Sequence, residues 1–175
     1  GLTYEQAAEN LVDELQKRLQ LDKDSELVDI GFGMGTQDVY IWKSFHPKSI
    51  EGLDVTWKHV ERARERAKRE EIPEQNVRFH HGTAVEMPFS NSQFTHLLSI
   101  EVPEHVDTRE KFFHEACRVL KSGGVMTLSD YLIAREPRNF LETWVVEFTR
   151  KAWEVPKANV YGPDVYRQKL QSAGF

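Results

Sequence analysis

Apolar residues recur at helical spacing first and at strand spacing soon after. Ala7, Leu11, Leu15 and Leu19 fall on one helical face, and Thr3 with Gln6 has capping-box spacing, so residues 3–19 read as a helix. Glu26-Leu27-Val28-Asp29-Ile30 reads as a short strand stopped by Gly31. A helix over about residues 36–44 follows, and Pro47 separates it from a second strand over 49–55. Thr56 is placed to cap a helix running to about residue 71, with Trp57, Val60, Ala63 and Ala67 as a narrow apolar stripe. Third and fourth strands fall at 76–80 and 93–100, with Met87-Pro88-Phe89 in the loop between them. Asp107 with Glu110 starts a helix to residue 120, which Lys121-Ser122-Gly123-Gly124 closes. A fifth strand follows at 125–129; residues 139–153 read as helical, and Pro163 stands in the first turn of a last helix ending at Ala173.

Strand–helix alternation of this length predicts an α/β fold, a doubly wound and mostly parallel sheet with helices on both faces. With 175 residues the chain reads as a single domain. Ligands in such sheets bind outside the carboxyl ends of the strands, so strand-ending residues carry the chemical information.

Composition narrows the classes. The formal charge of −5 disfavours a nucleic-acid surface, which needs clustered Lys and Arg. Arg62, Arg64, Arg66, Lys68 and Arg69 are offset by Glu61, Glu65, Glu70 and Glu71, as on a solvated outer face. Cys117, the single cysteine, excludes an intrachain disulfide and a cysteine-based zinc site. The seven histidines show no metal-ligand spacing, and His80 and His81, adjacent on a strand, face opposite ways. No apolar run approaches the roughly 20 residues of a membrane span, and no basic-then-apolar segment opens the chain. A cytoplasmic location fits.

The first strand ends in Asp29-Ile30-Gly31-Phe32-Gly33-Met34-Gly35. Glycines at alternate positions let backbone approach a ligand, although a tight strand-to-helix turn uses them as well. The second strand ends in Asp54, 19 residues after Gly35, where a carboxylate can accept both ribose hydroxyls of an adenosine-type ligand. Nicotinamide enzymes share this arrangement, but their third fingerprint glycine is Thr36 here. An acid at Asp29 also sits badly beside a pyrophosphate and suits a cation, such as the ammonium of an amino-acid tail.

The glycine segment resembles motif I of class I S-adenosylmethionine-dependent methyltransferases, and Asp54 matches that family's acidic ribose ligand. The stretch from Gly82 to Glu101 is similar to its adenine loop and fourth strand. Glu104-His105-Val106 and Arg118-Val119-Leu120-Lys121-Ser122-Gly123-Gly124 are similar to its segments before and after the next helix. The likeness is greatest to the branch acting on small molecules such as sterols, tocopherols and quinones. It implies a Rossmann-like sheet in order 3-2-1-4-5, a cofactor-binding core at 26–131 behind an N-terminal helix at 1–22, and a substrate-covering insertion at 132–162. It implies S-adenosyl-L-methionine as cofactor, held by Asp29, Gly31, Gly33, Gly35, Asp54, Val55, Thr83, Ala84 and Glu101. Thr83 stands where the family often has Asp, so adenine contacts are expected to rest on backbone near Ala84.

The implied reaction is in-line attack by an acceptor O, N or C on the sulfonium methyl. His105 is the candidate general base and Glu101 a second catalytic candidate; each has a structural reading beside it, as a loop or cofactor-border contact. Tyr131, Trp144 and Tyr161 are the candidate substrate contacts, with helix packing or a dimer contact as the competing reading of the aromatic residues. The family sheet usually closes with a hairpin after the position of Phe175, where this sequence stops. A bare fifth strand, covered by a partner chain such as a second copy or by further chain, is therefore expected. A catalytically silent partner of the same fold and a nicotinamide oxidoreductase remain the alternatives.

Overall fold

Leu27 and Val28, neighbours on one strand, serve two different hydrophobic cores. The alternation follows from the pleat, which sends successive side chains to opposite faces. A computed structural model describes residues 1 and 3–175. Its sheet has five parallel strands: β1 (Glu26–Ile30), β2 (Ser49–Asp54), β3 (Val77–His81), β4 (Phe94–Ile100) and β5 (Leu120–Ser129). Their order is β3-β2-β1-β4-β5, as the resemblance implied.

Helices cover both faces. On one side α1 (Tyr4–Leu19), α2 (Thr36–Phe45) and α3 (Trp57–Arg69) bring Val12, Ile41 and Val60 to a core with Leu27 and Leu98. On the other, α4 (Arg109–Val119) and α6 (Pro163–Ala173) bring Phe112 and Tyr166 to a core with Val28 and Leu97. Between β5 and α6 lie α5 (Phe140–Ala152) and a short 3₁₀ turn, Lys157–Asn159. α2, α3 and α4 carry the crossovers β1–β2, β2–β3 and β4–β5, while β3 and β4 are joined by a loop.

Thr3 and Gln6 form the expected reciprocal capping box. Gly174 ends α6 in the left-handed conformation. Four local expectations change. β5 begins at Leu120, directly after α4, and not at residue 125. Gly123, with φ +77°, serves a register shift against β4 and not a helix cap. Thr108 and not Asp107 caps α4, its hydroxyl facing the Lys111 amide. Trp57 leaves the apolar stripe of α3: it is exposed and packs edge-on against His81.

Among the described residues β5 pairs only with β4. No described helix is long and apolar enough to cross a membrane.

Candidate active site

Parallel strands deliver all their carboxyl ends to one edge, so Gly31, Asp54, Glu101 and Asp130 converge there. A cleft of about 790 Å³ opens at this edge. Leu11 and Val12 of α1, Met34, Gln37, Tyr40 and Glu101 line it. The contribution of α1 was not read from the sequence, whose periodicity shows a buried face but not what that face covers.

The glycines divide by role. A Cβ on Gly31 would meet Val102 at 2.2 Å, and one on Gly35 would meet Ala63 at 2.7 Å, so both are needed for packing. Gly33 has φ +60° and nothing within 4 Å of a Cβ position. It leaves bare backbone facing open space, which is what a close ligand approach requires.

Asp54 holds this loop in place. Its Oδ2 accepts the Gly33 N–H at 3.0 Å and its Oδ1 accepts the Thr56 N–H at 2.8 Å. His59 Nδ1 stands 3.2 Å from both oxygens. Asp54 is only 7% exposed, so it is a structural tie as well as a rim residue. Val55 beside it is exposed, and its carbonyl lies 2.9 Å from His81 Nε2. Thr83 is half-buried and accepts the Val85 N–H at 3.3 Å, and Ala84 is buried in the second core.

Asp29 is fully buried, and its Oδ2 accepts from Gln37 Nε2 at 2.5 Å. Asp38, also fully buried, is its neighbour, and neither Asp38 oxygen has a hydrogen-bond partner. Burial pushes both carboxyls up, Asp29 to about 7. Neither Gln37 nor Asp38 was singled out beforehand, although both follow the glycine segment within three residues.

Glu101 follows β4 in a left-handed conformation at φ +54°. Its carboxylate accepts the Tyr131 phenol at 3.1 Å. Tyr131 in turn lines a second, mostly apolar cleft of about 260 Å³, with Ile133, Val145, Thr149, Trp153 and Val160. The Glu101–Tyr131 bond is thus where the two clefts meet. His105 is half-exposed, with Nε2 4.0 Å from Glu104 Oε1. Glu104 is buried, and burial with the Asp130 carboxylate nearby pushes it up to about 7.

Two candidate substrate contacts fall elsewhere. Tyr161 is 6% exposed and packs its ring 5.3 Å from the Arg109 guanidinium, in the second core. Trp144 stacks on Phe148 at 5.5 Å and does not line the second cleft. In exchange the structure reveals a staple that the sequence did not show. Arg109 grips Asp130 with Nε and Nη2, at 2.8 and 2.6 Å, and donates to the Tyr131 and Asn159 carbonyls. Asn159 donates to the Glu104 and Val106 carbonyls and accepts the Arg109 N–H at 3.0 Å. These partners are some 50 residues apart in the chain, so no local pattern announces them.

Among the described residues there is no group of three or more His, Cys, Asp or Glu fit to hold a metal ion.

The profile of the family described as "Methyltransferase domain" matches residues 28–128, from β1 to β5. The chain belongs to this family. It is 32% identical to the erythromycin 3''-O-methyltransferase of Saccharopolyspora erythraea over 175 residues, 98% of this chain and 57% of that one. It is 30% identical to the 27-O-demethylrifamycin SV methyltransferase of Amycolatopsis mediterranei, over 99% of this chain and 62% of that one. The chain therefore spans about three-fifths of the length of these relatives. Among solved structures, the (4+2)-cyclase SpnF superposes with a TM-score of 0.82 at 22% identity, covering 99% of this chain and 60% of that one. The geranyl diphosphate C-methyltransferase of Streptomyces coelicolor A3(2), in complex with S-adenosyl-L-homocysteine, superposes at 0.76 and 22%, covering 95% and 58%. At those identities the structures establish the shared family fold. Family membership removes the nicotinamide oxidoreductase alternative.

Proposed function

We propose that the chain binds S-adenosyl-L-methionine in the larger cleft and serves methyl transfer to a hydroxyl oxygen of a bulky small molecule. The observation that carries this reading is the bare Gly33 backbone, tied to Asp54 and flanked by Phe32 and Met34, which line the cleft, within a family-matched sheet. An unpartnered oxygen on buried Asp29 adds a place for the ammonium end of the ligand. Two relatives that match nearly the whole chain, one named for a 3''-O position and one for a 27-O-demethyl compound, support oxygen over nitrogen or carbon.

The residues divide the work. Asp29 and the backbone of residues 31–35 hold the aminoacyl end. Asp54 takes the ribose hydroxyls: a carboxylate has about four acceptor positions, and two are already filled by Gly33 and Thr56. The hydroxyls then occupy the positions where His59 now stands. Val55, Thr83 and Ala84 border the adenine. S-adenosyl-L-methionine supplies an already activated methyl group, so the protein's part is alignment and exclusion of water. Glu101 and Tyr131 align the acceptor where the clefts meet, the apolar walls of the second cleft hold its body, and His105 takes its proton. The segment 132–162 forms the acceptor side. A single free cysteine suits a reducing compartment such as the cytoplasm.

Calorimetric titration with S-adenosylhomocysteine and, separately, with NAD tests the cofactor; binding of the first and not the second is expected. Turnover against a panel of hydroxylated macrocycles tests the acceptor. Cofactor binding with no turnover on any acceptor would instead support the catalytically silent reading.

A further inference from the structure

With the larger cleft taken as the nucleoside site proposed above, one group in its floor still lacks a role. Asp38 is the third residue of α2, immediately behind the glycine loop, and is fully buried. Neither of its carboxyl oxygens meets a hydrogen-bond donor, and neither does Oδ1 of Asp29. Buried polar atoms without partners are rare, because each costs its full desolvation. Two buried carboxyls in contact cannot both be ionised, since each has lost its water and their charges repel. A proton placed between them would resolve both problems, with Asp38 as donor and Asp29 as acceptor.

The surroundings favour that proton. Asp54, at the end of β2, adds its negative charge to both groups. Gln37, from the same helix, is neutral and caps the other oxygen of Asp29. Arg66 and Glu101 line the cleft farther out, and Arg66 spends its Nε–H on the Met34 carbonyl. No described cation pairs with either carboxyl. Gln37 both lines the cleft and bonds Asp29, so its amide is the partition between the cleft and the buried pair.

We propose that Asp29 and Asp38 share a proton which leaves to solvent when the ammonium of an aminoacyl nucleoside displaces the Gln37 amide, making Asp38 a binding residue and binding itself proton-linked. The ammonium keeps its hydrogens and supplies the positive charge that lets both carboxyls ionise. A nucleoside without an aminoacyl tail has nothing to exchange for the proton.

The experiment is calorimetry on the intact chain at pH 7, in phosphate and in Tris, whose ionisation enthalpies differ widely. S-adenosylhomocysteine should show a buffer-dependent enthalpy equivalent to release of about half to one proton. 5'-Methylthioadenosine, the same nucleoside without the aminoacyl tail, should show none. Asp38→Asn should abolish the release and weaken S-adenosylhomocysteine binding, because the ammonium loses one of its two carboxylates. Equal enthalpies in the two buffers for S-adenosylhomocysteine overturn the inference, and so does equal release with both nucleosides, which assigns the proton to the ribose side. If Asp38→Asn does not fold, the titrations of the unsubstituted chain decide alone. If neither nucleoside binds, the nucleoside reading itself falls, and the inference with it.

Discussion

At the scale of single residues, position in the chain and position in space tell different things. Asp54 was readable because it ends a strand, and strand ends gather at one edge. Its ties to Gly33 and Thr56 were not readable, since they depend on how closely two loops approach. Asp54→Ala should therefore do two things. Affinity for S-adenosylhomocysteine should fall at least tenfold, because hydrogen bonds to a charged group contribute about 1.5–3 kcal/mol each. The thermal melt should also drop, because two backbone N–H groups lose their acceptor; an unchanged affinity would remove Asp54 from the site. His105→Ala should cut turnover by about 10²- to 10⁴-fold with little change in nucleoside affinity, and a near-normal rate would return His105 to a surface role. Glu104 gives a pH prediction. Its folded value, about 7, lies above the unfolded one, so the folded state keeps a proton that the unfolded state loses. Stability from this group is complete below about pH 4 and declines as pH rises toward 7. Glu104→Gln, whose amide stays neutral and can donate to Asp130, should raise the melting temperature at pH 8 relative to the parent and leave it unchanged at pH 4. Melts at both values check this; an equal shift at both would point to packing alone.

At the scale of elements, periodicity carried nearly everything it could. The boundaries of β1 and α6 match the expected ones because Gly31 and Gly174 stop them in left-handed conformations. β5 started early because a strand pairing beyond the view of local sequence recruited residues 120–124 into the sheet. The staple between α4 and the 3₁₀ turn was invisible for the same reason. Asn159→Ala should test it. The change leaves the Glu104 and Val106 carbonyls and the Arg109 N–H unsatisfied in a buried setting, at about 1–3 kcal/mol for each such group. Chemical denaturation should show a loss of several kcal/mol by that reckoning, with the slope unchanged. A loss below about 1 kcal/mol would mean that water or a local shift replaces the bonds.

At the scale of the whole molecule, the sheet order and both cores were legible, while the meeting of two clefts at Glu101 and Tyr131 was not. It requires the end of β4 and the segment after β5 to be adjacent, which is a property of topology and not of either segment. The first helix shows the same point from the other side. Ala7, Ala8, Glu9, Leu11 and Val12 wall one side of the larger cleft, and the rest of its lining comes from residues 32–101. A ligand sealed beneath a peripheral helix escapes only as fast as that helix lifts. With the ligand bound there as proposed, its residence time should follow the grip of Val12, Leu15 and Leu19 on the core more than the polar contacts that orient it. Val12→Ala should shorten the lifetime of bound S-adenosylhomocysteine in a stopped-flow chase more than it slows association. Clocking departure, and not affinity, is where the amino-terminal helix would make itself felt.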